Sequence, residues 1–189
     1  MITARDEGTT RVRATEVLAD GFSRVRDGVH SVLSGERAGG ELTPEQLRHR
    51  IDDDSNTIAW LLWHLSRVQD DHVADVAGHE QVWTSAGWAE RFALPFADTA
   101  TGYGQSARET GEVQPSAELL SGYFEAVHER TLAFVQGLSD DDLDRVVDES
   151  WDPPVTLGVR LLSVIGDCLQ HSGQAAYVLG VAQRAAASA

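Results

Sequence analysis

In four separated stretches of this chain, apolar residues recur at alternating steps of three and four. That spacing restricts the fold more than any other feature. In the first stretch, Thr15 to Leu33, the residues Leu18, Phe22, Val25, Val29 and Val32 fall on one helix face. In the second, Thr57 to Ala77, the stripe is Ile58, Leu61, Leu65, Val68, His72 and Val76, and Gly78 is a natural stop. The third, Ala117 to Leu138, carries Leu120, Phe124, Val127, Thr131, Phe134 and Leu138 behind Ser116 as cap. The fourth, Leu157 to about Ala186, carries Leu161, Val164, Cys168, His171, Ala175 and Val178 behind Thr156. No stretch alternates convincingly as a strand. Four such helices bury their stripes by packing on one another, so the pattern predicts an all-α, antiparallel-type four-helix bundle.

The connections add detail. Ser34 to Glu41 is rich in glycine and charge and reads as a loop. Thr43-Pro44-Glu45-Gln46 opens a short helix ending near His49, because Thr43 can cap, Pro44 suits the first position and Gln46 can reach back to the cap. Between the second and third helices, His79 to Pro115 holds no clear period. It is rich in aromatics (Trp83, Trp88, Phe92, Phe96, Tyr103), which predicts a crossover packed over the bundle. Ser139 to Asp142 starts a short acidic helix that Trp151-Asp152-Pro153-Pro154 breaks. The expected organisation is a flexible N-terminus over residues 1–14, one bundle domain over 15–184, and a frayed alanine-rich tail over 185–189.

Composition narrows the function. The formal net charge is −15 and all 15 basic residues are arginine. Such a surface repels nucleic acid and anionic membrane, which need clustered cations. The absence of lysine points to a high-GC coding genome. A single cysteine, Cys168, allows no internal disulfide and fits a reducing cytoplasm. No apolar run suits a signal core or a bilayer span, so a cytoplasmic protein is expected.

One constellation suggests chemistry. Asp167 and His171 lie one helical turn apart on the apolar face of the fourth helix. His64 sits in the apolar run of the second, and facing helices of a bundle bring such groups to one core site. Two imidazoles and a carboxylate leave a divalent metal an open position, the pattern of a catalytic rather than a structural zinc site. The plainer alternative is an Asp–His pair bonded to itself and a satisfied core histidine. His72, on the same stripe as His64, is a rival ligand, and Asp71 shares a face with His64. His30, His49, His79 and His128 read as surface or loop residues. Cys168 reads as inert packing rather than a nucleophile. Asp140 to Asp144 lack the glycine turn and terminal glutamate of a calcium loop. Gly102-Tyr103-Gly104 is too short for a phosphate loop. Trp60, Trp63 and Trp88 read as core. Arg67, one turn after His64, is a candidate for a substrate carboxylate, or else a surface arginine.

The run Thr57-Ile58-Ala59-Trp60-Leu61-Leu62-Trp63-His64-Leu65, followed by Arg67-Val68-Gln69-Asp70-Asp71-His72, resembles the second long helix of the DinB-like superfamily. The run Asp167-Cys168-Leu169-Gln170-His171-Ser172-Gly173-Gln174-Ala175-Ala176-Tyr177 resembles its last helix. The likeness spans roughly Val17 to Gly180. It is nearest an actinobacterial subgroup of mycothiol S-transferases, related to the N-terminal domain of mycothiol-dependent maleylpyruvate isomerase. The resemblance implies a bundle with a divalent metal at one end, its ligands falling on His64, Asp167 and His171. The family has histidine or glutamate where this chain has the shorter Asp167. It also implies a homodimer.

Two chemistries and one non-enzymatic role follow. The first is a metal-dependent thiol S-transferase, in which a low-molecular-weight thiol, mycothiol, attacks an electrophile, with Trp60 and Arg67 as candidate substrate contacts. The second is a hydrolase or isomerase using metal-bound water. The third is a bundle that binds a small ligand without turnover. Two histidines and a carboxylate suit zinc, nickel or iron.

Overall fold

The computed structural model describes residues 12–35, 40 and 42–187. The expected flexible N-terminus therefore lies mostly outside the described residues, as does most of the Ser34–Glu41 loop. Four long helices dominate: α1 (Ala14–Leu33), α3 (Ile58–Ala77), α7 (Ala117–Gln136) and α8 (Leu157–Ala187). A short α2 (Pro44–Leu47) precedes α3, and α4 (Val82–Ser85), α5 (Trp88–Phe92) and α6 (Ala107–Gly111) lie in the crossover. α8 stays helical through Ala187, past Ala185, where composition suggested fraying.

α1 and α3 each pack against both α7 and α8, so the order round the bundle is α1–α7–α3–α8. Consecutive long helices α1 and α3 thus stand on a diagonal, as do α7 and α8. Diagonal neighbours need crossing connections, which is why neither link is a tight turn. The core fills the space between the four stripes. Leu18, Phe22, Val25, Val29 and Val32 of α1 meet Leu120, Phe124 and Val127 of α7 and Leu161, Val164 and Cys168 of α8, all buried. Each large side chain removed from water there contributes about 1.5–3 kcal/mol.

Local signals act at the ends of the helices. Thr43 and Gln46 form the expected reciprocal cap. Thr57 accepts from the Trp60 amide, Ser116 from the Leu119 amide, and Gly78 closes α3 at φ 70°. Ser139 caps a single 3-10 turn, Asp141–Asp144, rather than an α-helix. After it comes a feature that periodicity did not predict, a small antiparallel hairpin of β1 (Val146–Asp148) and β2 (Val155–Thr156). Strands of three and two residues are too short to show an alternation.

The crossover packs as expected in part. Trp83, Trp88 and Phe92 are buried, and Trp83 and Phe92 both lie against the Tyr123 ring. Tyr103 departs from the expectation, being 94% exposed. A polar network bolts this segment to the bundle. Arg67 is fully buried and donates to the carbonyls of Asp98 and Ala100, to Gln81 Oε1 and to Tyr123. Asp70 accepts from the amides of Val82 and Trp83 and from the Tyr123 hydroxyl. Burial pushes the Asp70 carboxyl above its ordinary range, against those three hydrogen bonds, which favour the ionised form. Arg67 is therefore neither a surface arginine nor free to meet a substrate, because the crossover covers the flank of α3 that carries it.

Candidate metal centre and adjoining cleft

His64, Asp167 and His171 converge. One potential ligand atom from each lies within 4.8 Å of the other two. A tetrahedral site with ligand distances of about 2.0–2.2 Å places its ligand atoms about 3.4 Å apart, so small rotations about the side-chain torsions close the set. His64 comes from α3 and the other two from α8, helices that pack directly together.

The hydrogen bonds prepare both imidazoles. His64 Nδ1 lies 2.5 Å from the carbonyl of Thr101, which can only accept. The Nδ1 therefore carries the proton and Nε2 is left with its lone pair. His171 Nδ1 lies 2.9 Å from Gln174 Oε1, an acceptor, so this Nδ1 also carries a proton and Nε2 is the atom turned to Asp167. Carbonyl oxygens behind the second ring nitrogen are the usual support for metal-binding histidines. Burial pushes the His64 pKa down, the Thr101 hydrogen bond opposing it and His171 adding to it, so the ring is held neutral, as a ligand must be. Asp167 Oδ1 stands 3.6 Å from His171 Nε2, while its Oδ2 is buried with no hydrogen-bond partner. A buried carboxylate oxygen without a donor is costly, and a cation would satisfy it. The donor set thus fits a divalent ion. Asp167, though shorter than glutamate, offers an oxygen within 4.8 Å of a ring nitrogen of each histidine.

Trp60 forms one wall. Its ring stacks on His64 at 4.5 Å between centroids and meets His171 edge-on at 6.2 Å, while Nε1 donates to Gln105. Gly102 lets the 101–104 segment lie against these rings. At φ 98° it is in a glycine region, and a Cβ there would stand 2.8 Å from His64 Nδ1. Gly102 of the Gly-Tyr-Gly motif thus lets the backbone close on His64. Sequence reading missed Thr101 and Gln105, whose roles depend on where the crossover settles. Gln174 carried a signal, since position i+3 from His171 lies on the same helix face.

The other candidates fall elsewhere. His72, the rival ligand, is two turns along α3 and bonds through Nδ1 to Arg160, outside the triad. Asp71 accepts from Gln81. His128 is a correction: it is 4% exposed, stacked on Phe124 inside the bundle, and burial lowers its pKa. Cys168 is fully buried with its thiol against the Leu65 carbonyl, and burial pushes its pKa far up. It is packing, as expected.

A cleft of about 550 Å³ opens beside the triad, lined by His64, Asp167, Val68, Val164 and residues of the hairpin. His72 and Arg160 lie farther along it, with Asp71 and Asp148 beside them. The fold and site together define a helical-bundle protein with a candidate metal-binding triad beside a cleft.

Residues 36–175 match the model of the DinB superfamily, and the chain belongs to that superfamily. A crystal structure of a conserved protein from Enterococcus faecalis superposes with a TM-score of 0.80. It is 27% identical and covers 89% of this chain and 96% of its own. No curated protein matches. Among the described residues, no helix is long and apolar enough to cross a membrane.

Proposed function

We propose that this chain is a metal-dependent thiol S-transferase of the cytoplasm, a homodimer using mycothiol as its thiol. The observation that carries the reading is the arrangement at the triad. His64, Asp167 and His171 bring potential ligand atoms within 4.8 Å of one another beside an open cleft, with both Nδ1 atoms turned to carbonyl oxygens and one Asp167 oxygen buried without a partner. The choice of thiol is supported by the Trp-His-Leu and Gln-His-x-Gly-Gln motifs and by the lysine-free composition.

His64, Asp167 and His171 would hold the ion, and zinc, nickel and iron all suit the set. The chemistry supplied by such an ion is a lowered thiol pKa, and hence a thiolate at neutral pH. The protein's own groups do the rest. Thr101 and Gln174 keep both Nδ1 protons in place, so neither ring can turn its donor toward the cleft. Trp60 fixes the His64 plane. Val68 and Val164 exclude water from the wall. The thiol proton leaves to solvent through the cleft mouth. A carbon–sulfur bond forms to the electrophile, whose displaced electron pair is taken up by a departing group or by a proton from water.

The test is metal analysis of purified protein, then conjugation of mycothiol to a chromogenic acceptor. Bound metal and mycothiol-dependent turnover are expected, with His171→Ala losing both and Asp167→Asn weakening both. Thiol-independent hydrolysis of an ester panel would replace this reading with the metal-dependent hydrolase. Metal-free, inert protein would replace it with ligand binding alone.

A further inference from the structure

We infer that the solvent-facing side of α8 is the surface on which two copies of this chain pair, antiparallel, about a two-fold axis centred between positions 167 and 168. This assigns a face to the homodimer proposed above and rests on no step of the thiol chemistry. Two observations carry it.

The first is an uncharged face on a strongly acidic protein. The formal net charge is −15, and 24% of the residues are charged. Yet between Arg160 and Arg184 of α8 the only charged side chain is Asp167, which belongs to the triad. Outward positions carry apolar groups instead. Leu162 is 63% exposed and Tyr177 64%, and Val159 and Leu169 also stand in water. Gly21 of α1 meets Ile165 and Gly28 meets Ser172, so α1 runs parallel to α8 and sets its exposed Val17 level with Leu162. On the other side, exposed Ile51 lies beside Gly173 and Tyr177. A charged partner finds no opposite charge to pair with on such a face. Two copies of a chain at −15 repel over most of their surface, and here they can meet without setting like charges together.

The second observation is self-complementary spacing. Val159, Leu162, Gly166, Leu169, Gly173 and Ala176 recur at alternating steps of three and four, a heptad seam distinct from the stripe that α8 buries in the bundle. With a second α8 turned antiparallel about the point between 167 and 168, Val159 faces Ala176, Leu162 faces Gly173, and Leu169 faces Gly166. Each large side chain then meets a small residue of the second copy. Parallel pairing would set Leu162 and Leu169 against themselves and leave glycines facing glycines across gaps, which close packing disfavours. The bundle itself gives Gly166 and Gly173 no purpose, since a Cβ added at either meets nothing within 4 Å. Each costs a helix interior about 1 kcal/mol against alanine, which close approach of a second helix offsets. The seam is about 26 Å long and, flanks included, roughly two helix diameters across. That extent is of the order of the about 800 Å² per partner that a stable interface buries. The same register brings the second copy's Tyr177 next to Val159, which lines the cleft, so the partner forms part of the cleft rim.

The test is sedimentation velocity of the purified full chain, joined to disulfide trapping. A dimer is expected. Gly173→Arg should weaken it about a hundredfold or more, since an arginine must enter where the second copy's Leu162 packs. The single chain has open space at that position, so the variant folds, and circular dichroism checks this. Cys168 is buried, so an introduced cysteine is the accessible thiol. Leu162→Cys and Gly173→Cys should each cross-link poorly alone, because two copies of one position stand about 16 Å apart along the seam, and should form a disulfide when mixed. Wild-type protein that sediments as a monomer would overturn the interface and the homodimer together. A dimer untouched by Gly173→Arg would overturn this interface and leave the homodimer on another face. Self-linking of Leu162→Cys would overturn the antiparallel register. No readout here uses turnover, so thiol transfer stands or falls on the conjugation assay alone.

Discussion

Gly102→Ala should be among the most damaging small changes in the chain, and the structure gives its size. The residue has φ 98°, where an L side chain is strained by about 1–2 kcal/mol. Its added methyl would also meet three groups at once: His64 Nδ1 at 2.8 Å, Trp63 at 3.0 Å and Trp60 at 3.1 Å. All three belong to a packed helix, and Trp60 is further tied to Gln105, so none yields freely. Overpacking of this kind adds about 1–3 kcal/mol. The total is about 2–5 kcal/mol, which for a domain of this size lowers the melting temperature by roughly 5–15 °C. Gly104→Ala is the internal control. It shares positive φ, at 74°, but has nothing within 4 Å of its would-be Cβ. It should lose only the backbone share, about 1–2 kcal/mol. Urea denaturation of both variants measures the difference. Because the 101–104 segment supplies the carbonyl behind His64, Gly102→Ala should also weaken zinc binding in a chelator competition, while Gly104→Ala should not. Equal stability losses in the two variants would refute the packing argument. Normal zinc affinity in folded Gly102→Ala would refute the role of Thr101.

Gln174→Ala removes the acceptor behind His171 and should weaken zinc binding about tenfold, the low end for such support because Gln174 is exposed; Gln174→Glu should bind at least as tightly as wild type by the same competition assay. Native Cys168 should resist iodoacetamide and react only after unfolding, and Cys168→Ala should keep turnover while losing about 1 kcal/mol in denaturant titration. Burial raises the Glu125 carboxyl, but hydrogen bonds from Arg26 and His30 outweigh it and hold the pKa below its ordinary value. The sign follows: the stabilisation is present above the unfolded glutamate pKa and is lost as pH falls through the depressed folded value. Glu125→Gln should therefore flatten the acid limb of a stability–pH profile.

What the sequence alone determined is local. The stripes on α1, α3, α7 and α8, the caps at Thr43, Thr57 and Ser116, and the stop at Gly78 all depend on residues within a turn or two. Helical spacing and hydrogen-bond chemistry make them legible without a fold. The i,i+4 pair of Asp167 and His171 was legible for the same reason, and His64 was legible from its place in the apolar run of a facing helix, which the family likeness also implied. Only the tertiary structure decided the rest. A stripe shows which face of a helix is apolar but not what covers its flanks. In α3, 15 of 20 residues are buried because the crossover lies over one side, which turns Arg67 from a surface group into a core bolt. The opposite holds for Val68 and His72. They sit on the apolar stripe yet line the cleft, because the hairpin stands away from them there. His128 went inward because α1 and α7 close over it, and Tyr103 was left in water at a cleft mouth. The carbonyl behind His64 belongs to Thr101, 37 residues away, where a backbone oxygen carries no side-chain signal and its position depends on how the whole crossover packs.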